Sequence, residues 1–240
     1  MKQKTLFFSF GVIFLTATLL FSALFRALEG SFFYDVPVDT PDDDRPMIIL
    51  DAGHGGEDGG ASGVNGVPEK DLNLSLSRGI AELLRLCGYS VLETRTEDKL
   101  LYSEGTKKGH KKQGDLKNRL AFADQYPNSL FISIHMNTFP NQSCEGVQVW
   151  YSQNHDESKV LAQAVQTKVK ALLQPQNNRK IKAATSNIYI LKHIKVPAVL
   201  IECGFISTPS ECERLCDPAY RQEMILTFFS AISEKTAAHS

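Results

Sequence analysis

The sequence predicts an α/β fold: a single domain with a mostly parallel or mixed twisted sheet flanked by helices, preceded by an N-terminal hydrophobic segment. Past residue 46, short apolar runs of strand length alternate with longer runs at helical spacing, the pattern of a sheet covered by helices. The chain has 240 residues, 42% of them hydrophobic, which suits one globular domain with a full core and a small appendage. The appendage is the apolar N-terminus.

From Leu6 to Phe25 there is no charged residue, and the stretch is long enough to cross a bilayer as one helix. Lys2 and Lys4 precede it, whereas Arg26 is followed by Glu29, Asp35, Asp39 and "DDD" at 42–44. Positive flanks stay inside, so the N-terminus is expected in the cytoplasm and the remainder is exported across the membrane. Residues 1–28 read as a signal peptide or an uncleaved membrane anchor. The apolar core is long for a signal peptide, and the small-residue site around Ala23 to Ala27 matches A-x-A poorly, which favours the anchor. "GSFFYDVPVDTPDDDRP" holds three prolines and five aspartates without a helical period, so residues 29–45 read as an acidic, extended linker.

The folded domain is expected over 46–238. "MIIL" (47–50) reads as a short buried strand ended by the turn "DAGHGG". "EKDLNLSLSRGIAELLRLCG" (69–88) is a helix, apolar at Leu72, Leu76, Ile80, Leu83 and Leu84 and closed by Gly88. "YSVLETR" follows as a strand, "EGTKKGHKKQG" (104–114) as a basic solvated loop, and "DLKNRLAFADQY" as a helix. "SLFISIH" and "GVQVWYS" are strands, "DESKVLAQAVQTKVKALL" an amphipathic helix, "NIYIL" and "AVLIECG" strands, and a last helix starts near Pro218.

Lys and Arg number 26 against 27 Asp and Glu, so there is no basic surplus to draw nucleic acid. Five cysteines (Cys87, Cys144, Cys203, Cys212, Cys216) are scattered, odd in number and without a C-x-x-C pair, which points to free thiols rather than a disulfide framework or zinc ribbon. Cys212 and Cys216, four apart, share one face of any helix that carries them.

Ligands in open α/β sheets bind beyond the carboxyl ends of the strands. His54 follows the first strand, His135 ends "LFISIH", Glu202 ends "AVLIE", and Glu69 opens the first long helix after a loose segment, "GGASGVNGVPEK", able to fold back over that strand. Two histidines and a carboxylate at one sheet edge suit a catalytic zinc, which keeps three protein ligands and an open position. Glu202 is then free to act as general base. Each residue has an alternative. His54 on a glycine turn is compatible with a structural role, and Glu69 with a first-turn carboxylate favoured by the helix dipole. Glu202 resists such a reading, because an unpaired buried carboxylate costs several kcal/mol. Cys203 as a nucleophile with His135 as base would leave Glu69 and His54 without a task. His110, His155, His193 and His239 converge on nothing and read as surface residues, and Asp51 as a turn-forming or supporting partner.

"IILDAGHGGEDGGASGVNGVPEKDLNL", "LFISIHMNT", "EGVQVWYS" and "VLIECGFIS" resemble, in order, the signature blocks of the zinc-dependent N-acetylmuramoyl-L-alanine amidases (amidase type 3). "TRTEDK" (94–99) and "DLKNRLAFAD" (115–124) match as well, so the resemblance runs from about Met47 to the C-terminus. It implies hydrolysis of the amide between the lactyl group of N-acetylmuramic acid and L-alanine in peptidoglycan. It implies Zn2+ held by His54, Glu69 and His135, with Glu202 catalytic and Arg95, Arg119 and Asn137 supporting the site. Thr208, where the family commonly has Asn, is a departure at a helix start. The N-terminal anchor, the bare catalytic domain and the "LYSEGTKKGHKKQGDLKNR" stretch are similar to the spore-cortex members. "YSQNHDESKVLAQAV" leaves no room for the inhibitory helix of cell-division members, so control falls to expression, location or an accessory regulatory protein. The expected partners are a glycan strand with its stem peptide and, through the N-terminal segment, a membrane. The place of action is the cell wall or spore cortex space. A vegetative autolysin of the same chemistry and a zinc exopeptidase acting on wall peptides are the alternatives.

Overall fold

The computed structural model describes residues 45–102, 106–107 and 109–237. The expected anchor and most of the acidic linker lie outside the described residues, among which no helix is long and apolar enough to cross a membrane.

Six strands form one sheet: β1 (Met47–Ala52), β2 (Val91–Glu93), β3 (Ser129–Asn137), β4 (Gln148–Tyr151), β5 (Lys182–Ala183) and β6 (Ala198–Phe205), in the order β2-β1-β3-β6-β4-β5. The pairs β2–β1, β1–β3 and β3–β6 are parallel, β4 runs antiparallel to β6, and β5 is parallel to β4. The central strands β1, β3 and β6 are apolar on both faces, as strands covered on both sides must be.

Among the described residues six helices cover the sheet: α1 (Glu69–Leu86), α2 (Lys111–Ala123), α3 (Asp156–Leu172), α4 (Tyr189–His193), α5 (Pro209–Cys216) and α6 (Pro218–Ala237). Leu72, Leu76, Ile80 and Leu84 of α1 recur at helical spacing and pack with Leu161, Val165 and Val169 of α3 and Met224, Phe228 and Ile232 of α6. Their sheet partners are Ile48, Leu50, Ile132, Ile134, Val199 and Ile201. The opposite face is thinner. There Ile49, Phe131, Ala198 and Leu200 meet Ala123 and Leu120 of α2 and Ile190 and Leu191 of α4.

Four local expectations change. "NIYIL" forms no strand; Tyr189–His193 is the short helix α4, and Ile190 and Leu191 bury themselves against the thinner sheet face. Both sides of β6 are already occupied, by β3 and β4. The edge place goes instead to the two-residue β5, too short to leave a period in the sequence. The basic loop is shorter than expected, because Lys111–Gly114 is the first turn of α2. A further helix, α5, fits between β6 and α6, starting directly after Thr208, and it carries both Cys212 and Cys216. Finally, β3 and β6 run past His135 and Glu202, so both residues sit inside strands near their ends.

Candidate metal centre

The chain leaves β1 through Gly53 and enters a left-handed backbone conformation at His54, with φ +62°. Histidine is one of the few residues besides glycine that adopts this region with any frequency. Gly53 is needed for a different reason. A Cβ there would lie 2.3 Å from the His135 ring, so only a glycine lets the two strand ends approach this closely. The loop that follows is ordered: Gly63 N donates to Val67 O (2.8 Å), Ser62 bridges Pro68, and Glu69 N donates to Ala61 O (2.9 Å). This folded-back loop delivers Glu69, the first residue of α1, to the end of β1. Gly60, at φ +69°, is pressed against it; a Cβ would come within 2.6 Å of Glu69 Oε2 and 2.8 Å of His54 Cδ2. These glycines make room for the candidate ligand side chains themselves.

His54 Nε2 and His135 Nδ1 lie 3.3 and 3.0 Å from Glu69 Oε1, and the three ligand atoms are all within 4.8 Å of one another. The two imidazoles meet edge to face, with centroids 5.0 Å apart. Glu69 is held at both oxygens, Oε1 accepting from Met136 N (3.0 Å) and Oε2 from Ala61 N (2.9 Å). Burial alone would raise its pKa, but the hydrogen bonds and charge of His135 and His54 drive it well below the usual carboxylate range. His54 Nδ1 contacts Asp58 Oδ2 at 3.0 Å. Burial pulls the pKa of His54 down; Glu69 and Asp58 more than reverse it, and the net shift is upward. A proton and a metal therefore compete for Nε2.

Two imidazole nitrogens and one carboxylate oxygen, none of them sulfur, form the donor set of a catalytic rather than a structural zinc site. The Asp58–His54 contact is the carboxylate–histidine arrangement that orients such ligands. The residues present fit the metal.

Glu202 completes the group. It pairs in register with His135 on the neighbouring strand, which puts both side chains on the thinner face of the sheet. Its Oε2 is buried without a hydrogen-bond partner. Burial raises its pKa to about 7, with His135 pulling down and Glu69 pushing up. Cys203 faces the other way, into the thicker core, where burial lifts its thiol well above the ordinary value. A nucleophile cannot act from there.

Beneath the triad lies a buried polar network. Asp51 accepts from Arg119 (2.5 Å), Ser133 Oγ (2.6 Å) and Thr94 Oγ1 (2.7 Å). Arg119 also pairs with Asp115 (2.7 Å) and donates to the carbonyls of Ala52 (2.8 Å) and His54 (2.7 Å). Arg95 clamps the same turn, donating to Ala52 O, Gly53 O and Lys70 O at 2.8–3.0 Å. Both arginines thus hold the backbone that carries His54, and Asp51 anchors one of them. Asn137 lies at the end of β3, where its Oδ1 accepts from Thr138 N (2.8 Å) and shapes the following turn rather than reaching a ligand.

Three contributors escaped the sequence reading. Asp58 is a carboxylate four residues after His54, and it contacts His54 Nδ1 at 3.0 Å. Asn73, one helical turn after Glu69, donates to Gly53 O (3.1 Å) and Glu69 Oε1 (3.3 Å), as i,i+4 neighbours can. Asp115 pairs with Arg119 (2.7 Å) and accepts from Leu101 N (2.7 Å).

Comparison with known proteins matches residues 48–234 to the N-acetylmuramoyl-L-alanine amidase family. The germination-specific N-acetylmuramoyl-L-alanine amidase of Bacillus subtilis is 32% identical over 233 residues, covering 97% of this chain and 95% of the relative. A probable cell wall amidase, LytH of Staphylococcus aureus, is 31% identical over 197 residues, covering 78% of this chain and 59% of the relative. Among solved structures, the CwlD amidase from Clostridioides difficile, in complex with the GerS lipoprotein, superposes with a TM-score of 0.76 at 35% identity, covering 80% of this chain and 99% of that one. With the family model spanning all but the first residue of the sheet, the chain belongs to the N-acetylmuramoyl-L-alanine amidases.

Proposed function

We propose that this amidase is a zinc enzyme acting on spore-cortex peptidoglycan, with His54, Glu69 and His135 as ligands and Glu202 as the proton carrier. The observation that carries the reading is the unpartnered oxygen of Glu202, buried on the same sheet face as three converging metal-type ligands. Zinc, when bound, supplies a Lewis acid that acidifies water and polarises a carbonyl.

The chain's own residues do the rest. Glu202, with a pKa near 7, is poised to accept a proton at neutral pH and to release it again. It takes the proton of the water that attacks the lactyl carbonyl, then hands it to the amine of L-alanine as the amide breaks. Asp58 holds His54 in the tautomer that turns Nε2 towards Glu69, and Glu69 is kept ionised by its neighbours. Arg95, Arg119 and Asp51 keep the His54 turn in place; Asn137 supports the turn after β3.

The cortex role is supported by likeness over nearly the full length to a germination-specific relative. The solved neighbour carries a lipoprotein partner. An accessory protein at the membrane surface therefore fits a chain whose first residues read as an export signal or anchor. Incubation with purified cortex peptidoglycan, followed by mass spectrometry, tests the reading. The expected products are glycan whose muramic acid carries a free lactyl carboxyl and a released peptide beginning with L-alanine. Stem peptides shortened but still attached to sugar would reject it in favour of an exopeptidase.

A further inference from the structure

Glu202 divides the catalytic face of the sheet. The triad comes from the turn after β1, from α1 and from β3, all on one side; β4 and β5 lie on the other. The register carries one row across that second side. His135 pairs with Glu202, Glu202 with Gln148, and Gln148 Nε2 donates to the Lys180 carbonyl. Two residues on, Trp150 pairs with Lys182. Ile181 packs into the thicker core, so by the alternation of extended chain Lys182 beside it in β5 faces the other way, towards the side of His135 and Glu202, while Lys180 stands just before the strand at the same sheet edge. Lys182 confirms this: its Nζ stands 5.1 Å from the centroid of Trp150, a residue packed on that thinner face. Both lysines are exposed, and neither forms an ion pair among the described residues.

Adjacent strands lie about 4.8 Å apart, which puts the Lys180 backbone about 10 Å from that of Glu202. Glu202 returns its proton to the departing amine, so the departing peptide lies on its side of the metal and runs out over β4 and β5. An extended chain covers at most ~3.6 Å per residue, and its second or third residue therefore arrives at the lysine pair. Neutral sugars have no use for two cations there; a carboxylate does. We propose that Lys180 and Lys182 form a cationic subsite that reads a carboxylate on the second or third residue of the departing peptide. The inference rests on the assignment of Glu202 as proton carrier.

The test uses the full-length, zinc-loaded protein in detergent and two muramoyl peptides that differ only in having those carboxylates free or amidated. For the free-acid substrate, the double variant Lys180→Gln, Lys182→Gln should raise KM about tenfold, the loss of one charge-assisted contact, with kcat within about twofold. The amidated substrate should not distinguish variant from wild type. The double variant with Arg at both positions should restore KM. Calorimetry with the released acidic peptide should show the same drop in affinity with Gln and recovery with Arg. A Gln variant with wild-type KM on the free acid, or an equal rise on both substrates, overturns the subsite while the wild type remains active. A wild type inert on both overturns the amide-hydrolysis reading and the subsite with it.

Discussion

Carboxylates on the two sides of His135 are held in opposite states. Towards β1, Asp51, Asp58 and Glu69 all sit below their usual pKa, because Arg119, His54 and His135 oppose the effect of burial. Towards β6, Glu202 and Glu211 sit above it, because burial outweighs the opposing charges of His135 and His54 at Glu202 and of Arg214 at Glu211. In one half of the site each carboxylate is matched by an arginine or imidazole partner; the other keeps a carboxyl able to exchange a proton near neutrality. The contrast separates positioning from chemistry within about two strand spacings. A positioning half needs its buried charges matched, since a half-satisfied buried network is costly. A proton carrier needs the reverse.

The largest effect is expected on the β6 side, in turnover. Glu202→Gln keeps the shape but cannot carry a proton, and general acid–base contributions of about 10²–10⁴-fold should vanish from kcat. Zinc content, read by elemental analysis, should stay that of the wild type. Near wild-type turnover by the fully loaded variant would remove Glu202 from the chemistry. Next comes the β1 side, in stability. Arg119→Met strands Asp51 and Asp115 in the interior and should cost about 3–5 kcal/mol in urea unfolding, as breaking a buried pair does. A loss below ~1 kcal/mol would mean that the network is relieved by water and is not the anchor described here. Third, Asp58→Ala should weaken zinc binding about 10–100-fold against a competing chelator while leaving unfolding of the metal-free protein nearly unchanged. Equal affinities would show that the His54 tautomer is set elsewhere.

How much of this was legible in the sequence follows from distance along the chain. His54, His135 and Glu202 could be picked out because each follows, interrupts or ends a strong apolar pattern, and Glu69 because it opens the first long amphipathic helix, so the local signal and the site coincide. Their convergence follows from strand ends meeting at one sheet edge. The supporting contacts are another matter. Arg119 reaches Asp51 across 68 residues, and nothing local to either marks the pairing. The short helix α4 reads as a strand in the sequence because "NIYIL" is apolar enough for either element and too brief to show a period. The edge strand β5 has two residues and no pattern to detect. Asp58 could have been found, since a carboxylate four residues from a ligand histidine is an expected orienting partner.

The smallest effect concerns Glu211, behind the end of β6. Its carboxylate accepts from Phe205 N (2.7 Å) and Gly146 N (2.8 Å). Burial nevertheless wins over those two bonds, and its pKa is raised above the ordinary 4.5. The folded protein thus binds this proton more readily than the unfolded chain. The resulting stabilisation is complete below the unfolded value and is lost as pH rises through the folded one. Glu211→Gln cannot titrate, so the stability of the variant relative to wild type should climb as pH rises from about 4.5, the ordinary value, through the folded one. Paired urea titrations across that range isolate the difference from the other titrating groups, which the two proteins share. Parallel profiles would show that the backbone N–H groups already balance burial at Glu211. The raised state would then belong to Glu202 alone, and with it the distinction between a carboxyl that is merely buried and one left free to work.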